Sequence, residues 1–390
     1  MKNSKIVSLL STILYYIERY NISVEKAFVR SCREIRCSRT FDEREELYRL
    51  AREFIKSVIR LRCLYGDVSR KKLARIFIDY EWRDKTDIEP WCLYSVPEWF
   101  YNEIRDLLGD REVVELFKAF DNRVTWLRIN TLKASEEKIL RLLEDDGVEL
   151  ERDRDLWYLY RVISSRKPLR YSKAVREFLA IPQDKASCLV VEAIRPEKSD
   201  KILDLSAAPG IKSSLIAMLT EDQALIQAQD ISKKRIYMMR YLMKKMNVKS
   251  VDIVLADSRK SPSRESSFDK ILIDAPCSSS GAIWKDPGLR LSLLKRGKIE
   301  YYSQIQKDLL REAIRLGREI VYATCSILPE EGELVVQEII SEERDLVAVK
   351  PLENLSSGYR LYDKNSVFNR TFPHRDLSEG FFIAKLLRES

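Results

Sequence analysis

Two thiols and a carboxylate are the residues of this sequence best placed to do chemistry. Residues 268–281 read Phe-Asp-Lys-Ile-Leu-Ile-Asp-Ala-Pro-Cys-Ser-Ser-Ser-Gly. The apolar run Ile271 to Ile273 is of strand type; it delivers Asp274, and the stiff Ala275-Pro276 step leads to Cys277. Proline cannot continue a central strand, so the backbone must leave the sheet where the reactive groups begin. A second thiol, Cys325, lies in Ala323-Thr-Cys-Ser-Ile327, again directly after a strand-type run. A thiolate adds to electron-poor carbon, and a carboxyl can bind or protonate a ring nitrogen. The ordinary fate of a free cysteine is a small buried hydrophobe, and that is the reading for Cys32, Cys37, Cys63, Cys92 and Cys188. Seven cysteines without C-x-x-C spacing argue against a disulfide framework and against a zinc site. His374 is the one histidine, so Ser-His-Asp and Cys-His catalysis and histidine-rich metal sites would all hang on it. Its expected role is to order the C-terminal loop.

The elements that must position these groups alternate. Helix signals at 187–194, 211–219, 232–246 and 299–316, and another beginning near Pro329, interleave with strand signals. The strands are Lys201–Leu205, Leu225–Gln229, Ile253–Ala256, Lys270–Ile273 and Glu319–Ala323, with further ones at Leu346–Val349 and Phe381–Leu386. Such alternation predicts a doubly wound α/β sheet. Strand ends supply Asp204, Asp230, Asp257, Asp274 and Thr324-Cys325, and in an open sheet these converge on one cleft. Asp230 is placed for ribose hydroxyls. The Gly-x-Gly-x-x-Gly loop of a pyrophosphate site is absent; Gly210 stands alone after Pro209. Clustered carboxylates would repel a pyrophosphate. S-adenosylmethionine, with its cationic sulfonium and amino groups, suits the site better than NAD.

Upstream, residues 1 to about 90 carry apolar positions at helical spacing (Ile6, Leu9, Leu10, Ile13, Leu14, Ile17), repeated over Glu45 to Leu64 and Lys71 to Tyr80, which predicts a basic helical bundle. Pro90 and Pro97 mark a boundary, and the stretch up to Pro182 reads as mixed α+β. It holds a strand ending at Asn130, a helix over Ser135 to Leu143, and strands at Val148–Leu150 and Leu156–Val162. There Trp126, Trp157, Tyr158, Tyr160 and Tyr171 interleave with Arg123, Arg128, Arg161, Arg166 and Arg170; this mixture can stack on unpaired bases and hold phosphates, or form an ordinary core. The domains expected are therefore 1–95, 96–182 and 183–390. The net charge of +8 on 390 residues fits an anionic partner such as nucleic acid. No apolar run approaches a membrane span and no cleavable leader is evident, so a cytoplasmic monomer is expected.

Three motifs together, Asp204-Leu-Ser-Ala-Ala-Pro-Gly-Ile-Lys-Ser213, Asp274-Ala-Pro-Cys-Ser278 and Ala323-Thr-Cys-Ser-Ile327, resemble the RsmB/Nop2/Sun (NSUN-type) family of RNA cytosine-C5 methyltransferases. Leu127-Arg-Ile-Asn-Thr-Leu132, Gln183-Asp-Lys-Ala-Ser187, Pro329-Glu-Glu-Gly-Glu333 and Gly380-Phe-Phe-Ile-Ala-Lys385 add to it, in family order, over about residues 120–390. The N-terminal bundle resembles a NusB-like domain. The resemblance implies a Rossmann-like methyltransferase sheet preceded by a small α+β domain and the all-α domain, with ribosomal or transfer RNA as substrate. It assigns the methionine part of S-adenosylmethionine to Ser206, Ala207, Ala208, Pro209, Gly210, Ile211 and Lys212, and the nucleoside part to Asp230 and Asp257 with Arg235 beside them. It makes Cys325 the nucleophile and Cys277 the thiol that assists product release, and it places Asp274 against cytosine N3 and next to the cofactor. No metal is implied. Two positions depart from the family pattern: Ile211 replaces a second Gly, and Ser206 often is Cys. An isoleucine forced to positive φ would be strained. A non-catalytic RNA-binding assembly factor is the rival that this departure motivates, separable by calorimetry with S-adenosylmethionine. An amino-methyltransferase would need an aromatic residue where Cys277 stands.

Overall fold

A computed structural model describes residues 3–38 and 40–389. By packing, the chain divides into two units, Met1–Arg123 with Ser278–Lys298, and Val124–Cys277 with Ile299–Ser390. The crossing from the second unit to the first therefore falls at the peptide bond after Cys277.

The first unit is helical. Helices Asn3–Tyr20, Val24–Ile35, Phe41–Tyr65 and Arg70–Asp79 pack their apolar stripes into one core around Leu10, Ile13, Leu14, Phe54, Val58 and Phe77. The hydroxyls of Ser23, Thr40 and Ser69 accept from the third N–H of the helix each precedes, satisfying donors a helix start leaves open. Two more helices, Glu98–Leu108 and Asp110–Ala119, fall in this unit by packing.

Here the reading of the cysteines needs correction. Cys32 pairs with Cys37, and Cys63 with Cys92, as disulfides. Arg36, in the left-handed region, reverses the chain after Val24–Ile35, so the Cys37 N–H reaches the Cys32 carbonyl and the two Cα atoms lie 4.7 Å apart. Spacing could not show this, because one pairing depends on a local cap and the other on a tertiary contact. Cys188 is free and fully buried, as expected, and burial pushes its thiol up.

The second unit carries two sheets. In the smaller, strands Trp126–Ile129 (β1), Val148–Arg152 (β2), Leu159–Ser165 (β3) and Ala180–Pro182 (β4) pair antiparallel in the order β2-β3-β1-β4. Of the aromatics that could serve either RNA or an ordinary core, Trp126, Tyr158 and Tyr160 are buried, whereas Trp157 and Tyr171 are exposed. Arg128 is fully buried too. It donates to Gln183 Oε1 (2.8 Å) and Ser214 Oγ (2.8 Å), tying β1 to the helix Ile211–Leu219, and desolvation lowers its pKa to about 10.

The larger sheet contains Lys201–Asp204 (β5), Leu225–Asp230 (β6), Val251–Leu255 (β7), Phe268–Asp274 (β8), Gly317–Thr324 (β9), Leu346–Val349 (β10), Asn369–Thr371 (β11) and Phe381–Arg388 (β12). Its order is β10-β12-β9-β8-β5-β6-β7, with β11 paired to β12. Strands β5 to β9 are parallel and β12 runs antiparallel to β9. The fold is thus an α/β, Rossmann-like doubly wound sheet. Buried residues such as Ile271, Ile273, Ile320 and Tyr322 fill one face; Ile202, Leu272 and Val321 fill the other. Fully covered parallel strands are apolar throughout. The chain reverses its winding between β5 and β8, the position at which such sheets bind ligands.

Candidate active site

Register along the parallel strands sets the acidic ends side by side. Asp274 is level with Ala323, Asp204 with Leu272 and Ala228, and Asp230 with Leu255. The ends of β9, β8, β5, β6 and β7 follow one another in space, so Cys325, Asp274, the 204–210 turn, Asp230 and Asp257 line one edge. At the switch point the turn after β5 faces the turn after β8.

On the β8 side, Pro276 directs the chain out of the sheet. Its carbonyl accepts from Nε2 of the fully buried Gln306 at 2.9 Å, which fixes the turn carrying Cys277. Cys277 Sγ then lies 3.4 Å from Cys325 Sγ. Two thiols 48 residues apart in sequence meet at neighbouring strand ends, both partly accessible. Tyr302 lies within electrostatic reach of Cys277; burial raises its pKa, and the Cys277 charge adds to that.

The turn holding Cys325 is braced from below. Thr324 Oγ1 donates to the Glu331 carbonyl (3.0 Å), and Ser326 Oγ donates to the Glu331 carboxylate (2.6 Å). Arg370 and Glu333 form a fully buried ion pair; Arg370 also donates to the Ser326 carbonyl (3.0 Å), and Glu333 accepts from Tyr359 N–H (3.0 Å). Gln306 and Arg370 carried no signal in the sequence, since each acts through a contact distant along the chain. Glu331 and Glu333 were visible only as part of a motif.

Lys212, in the helix that follows the β5 turn, reaches across to the end of β8. Its ammonium is nearly buried and donates to Asp274 Oδ2 at 2.6 Å. Burial opposes its charge, but Asp274, Cys325 and Asp204 together outweigh that, and its pKa is raised. Lys212 is therefore a fixed positive charge among a thiol and two carboxyls. Asp204 is fully buried. It accepts from Ser213 Oγ at 2.7 Å through Oδ2, while Oδ1 has no partner. Burial pushes this carboxyl up to about 7, with Asp274 adding and Ser213 and Lys212 opposing. Although Asp204 heads the first motif, its sequence position offered no hint of so perturbed a carboxyl.

The turn from Ser206 to Lys212 is narrow. Ala207 and Ala208 are buried and the Ala208–Pro209 peptide bond is cis. Gly210 has φ +96, and a Cβ there would meet Met243 Cε at 2.5 Å. The expected strain at Ile211 is absent, because positive φ falls on Gly210 and Ile211 opens the helix Ile211–Leu219. Asp230 is buried, accepts from Ser232 N–H (2.8 Å) and pairs with Arg235 at 3.0 Å; Arg235 also reaches the Ala208 carbonyl. Asp257 lies one strand further out. It caps the 258–260 turn and forms a close pair with Arg259 (2.6 Å), whose hydrogen bond holds its carboxyl below the usual range.

These residues fit S-adenosylmethionine. An unpartnered buried acceptor and a cluster of carboxyls favour cationic amino and sulfonium groups, and small residues leave room for close backbone approach. Among the described residues no group of three or more His, Cys, Asp or Glu side chains could hold a metal ion.

Comparison with known proteins agrees. The family model for 16S rRNA methyltransferase RsmB/F matches residues 191–387, and that for the RsmF/B-like ferredoxin-like domain matches residues 96–156. The 25S rRNA (cytosine-C(5))-methyltransferase nop2 of Schizosaccharomyces pombe is 31% identical over 76% of this chain and 52% of its own length. The tRNA (cytosine(72)-C(5))-methyltransferase of Pyrococcus horikoshii is 34% identical over 55% of this chain and 54% of its own. The chain thus spans about half the length of these curated relatives. The crystal structure of PH0851 matches all of this chain and 99% of its own with a TM-score of 0.80 at 25% identity. NSun6 from Pyrococcus horikoshii matches 76% of this chain and 100% of its own, with a TM-score of 0.67 at 24% identity. With the paired strand-end thiols, the carboxyl-lined turn and these matches in hand, the chain belongs to the RsmB/F methyltransferase family, with S-adenosylmethionine as the cofactor that membership implies.

Proposed function

We propose that this protein is an RNA cytosine-C5 methyltransferase acting on ribosomal or transfer RNA through a covalent adduct between Cys325 and cytosine C6, with Cys277 assisting release. The observation that carries this reading is the convergence of the two thiols, 3.4 Å apart, beside the Lys212–Asp274 pair. The RNA class rests on the activities named for the relatives.

Cytosine C5 is a weak nucleophile. Addition of the Cys325 thiolate to C6 makes C5 the electron-rich end of an enamine, splitting one hard step into two. Asp274 contacts N3, and the Lys212 ammonium beside it offsets the negative charge that develops on the ring together with that of the thiolate and the carboxylate. When bound, S-adenosylmethionine supplies the electrophilic methyl. Ser206 to Lys212 hold its methionine part, with the free Asp204 oxygen a buried acceptor for the ammonium. Asp230 serves the ribose hydroxyls, which requires Arg235 to share it, and Asp257 lies toward the adenine. Once C5 is methylated a base takes up its proton, the electron pair of that C–H bond re-forms the ring double bond, the C6–sulfur bond breaks and the thiolate of Cys325 is regenerated; Cys277, against that sulfur, assists this elimination. The exposed Trp157 and Tyr171, and the basic NusB-like bundle, would contact RNA. The reading takes the protein as a cytoplasmic monomer. Ile211 no longer speaks for the assembly-factor alternative, because it opens a regular helix.

Bisulfite sequencing of total RNA with and without the protein identifies the modified cytosine. On that RNA, Cys325→Ala is expected to abolish methyl transfer, and Cys277→Ala to accumulate a protein–RNA adduct stable in denaturing gels. Full activity of Cys325→Ala would refute the mechanism.

A further inference from the structure

The helix Lys233–Met246 leaves the cofactor edge and carries a charge pattern that its own stability does not explain. From Ile231 to Val251 the chain has seven lysines and arginines and no acidic residue. Three of these cations, Lys233, Lys234 and Arg235, sit in the first turn, the end where the helix dipole disfavours positive charge. Arg240 and Lys244 are a like-charged i,i+4 pair, which also opposes helix formation. Arg235 is accounted for by Asp230. Lys233, Lys234, Arg240 and Lys244 form no ion pair with a carboxylate among the described residues. They share the surface with Tyr237 and Tyr241, 60% and 52% exposed. Positions 233, 237, 240, 241 and 244 recur at helical spacing, so cations and tyrosines alternate along one stripe.

The stripe ends in a recess. A depression of about 350 Å³ is lined by Arg240, Lys244, Asn247 and Lys249 over an apolar floor that includes Met243 and Ile253. Both ends of the helix are tied to parts of the same unit. Its start joins Asp230 through Ser232 and Arg235. Its end joins the small sheet through Asn130 Nδ2 to the Met246 carbonyl (2.9 Å) and Asn247 Nδ2 to the Leu132 carbonyl (2.9 Å). Fourteen residues at about 1.5 Å each span roughly 20 Å, the length of several nucleotides.

We infer that this helix is a rail for single-stranded RNA. Lys233, Arg240, Lys244 and Lys249 contact phosphates, Tyr237 and Tyr241 stack on bases, and the recess takes one nucleotide. Cations with aromatics between them are the chemistry that binds a single strand without regard to sequence. The rail rests on the proposed RNA reaction and extends it: it gives the substrate a path from the cofactor edge toward the small sheet.

The test is fluorescence anisotropy with a labelled oligocytidylate across a salt series, on the full chain. For Arg240→Gln/Lys244→Gln, binding should weaken about tenfold, and the slope of log affinity against log salt should become shallower by about 1.4, at about 0.7 per lost phosphate contact. For Tyr237→Ala/Tyr241→Ala, affinity should fall with the slope unchanged. Calorimetry should give the wild-type affinity for S-adenosylmethionine in both variants, since none of the four residues touches the cofactor turn. A wild type that methylates RNA, with variants that keep its affinity and salt slope, overturns the rail alone. A wild type that binds the cofactor but methylates no RNA overturns the parent reading as well.

Discussion

Asp204 shows how far a fold can move a single group. Its carboxyl is buried beneath the turn after β5 and its pKa is raised from 3.8 to about 7. Folding therefore binds a proton in that window. The stability this represents is complete below about pH 4 and is lost as pH rises through about 7, by at most about 4 kcal/mol. Asp204→Asn should flatten the pH dependence of urea unfolding between those limits and make the protein more stable than wild type at pH 8. Its affinity for S-adenosylmethionine should fall, because the free oxygen goes with the charge. A wild-type profile that rises from pH 4 to 7 in step with Asp204 would contradict the assignment. At Cys277 and Cys325 the residue types announced reactivity, whereas the 3.4 Å approach that pairs them comes from strand order.

Among elements, the turn after β9 depends on a buried ion pair that lies outside the Ala323–Ile327 stretch carrying Cys325. Arg370→Ala would leave Glu333 charged and unpaired in the interior, which costs about 3–5 kcal/mol. It would also free the Ser326 carbonyl from Arg370, so turnover should drop beyond what instability explains. Arg370→Met/Glu333→Leu should regain most of the stability in thermal melts, while turnover stays low. In the helical unit, the Cys63–Cys92 disulfide joins the end of Phe41–Tyr65 to Pro90–Leu93 across a separation of 29 residues. Closing a loop of that size is worth about 3–4 kcal/mol, against about 2 kcal/mol for the short Cys32–Cys37 loop. Cys63→Ser should therefore lower the unfolding midpoint more than Cys32→Ser, and reductant should bring wild type down toward a variant carrying both Cys32→Ser and Cys63→Ser.

At the level of the whole molecule, the chain's path matters as much as its domains. Immediately after Cys277 it enters the helical unit, where residues 278–298 are held at several points. Arg52 donates to the carbonyls of Trp284 and Lys285 (2.9 Å each), Trp99 to that of Leu293 (3.0 Å), and the nearly buried Arg290 pairs with Asp121 at 2.8 Å. The turn carrying Cys277 is thus held within its own unit by Gln306, and the stretch that follows it in the chain, 278–298, is held within the bundle's unit. A chain beginning at Val124 would leave 278–298 without its partners. Limited proteolysis should cut it there first, whereas the full chain should resist at the same sites.

The placement of the candidate site was legible because its residues sit next to strand signals: Asp204, Asp230, Asp257, Asp274, Cys277 and Cys325 all follow apolar runs, and period and punctuation show such runs directly. The alternation that makes a doubly wound sheet is likewise local. Other features waited for the tertiary structure, for one physical reason: each is a contact between residues far apart in the chain. Disulfide partners, the Gln306 and Arg370 braces, and the burial that perturbs Asp204 leave no periodic trace. Burial also turned Arg128, Trp126, Tyr158 and Tyr160 from candidate RNA ligands into core. Ile211 makes the same point for the backbone, since the positive φ expected there fell one residue earlier, on a glycine that carries it without strain.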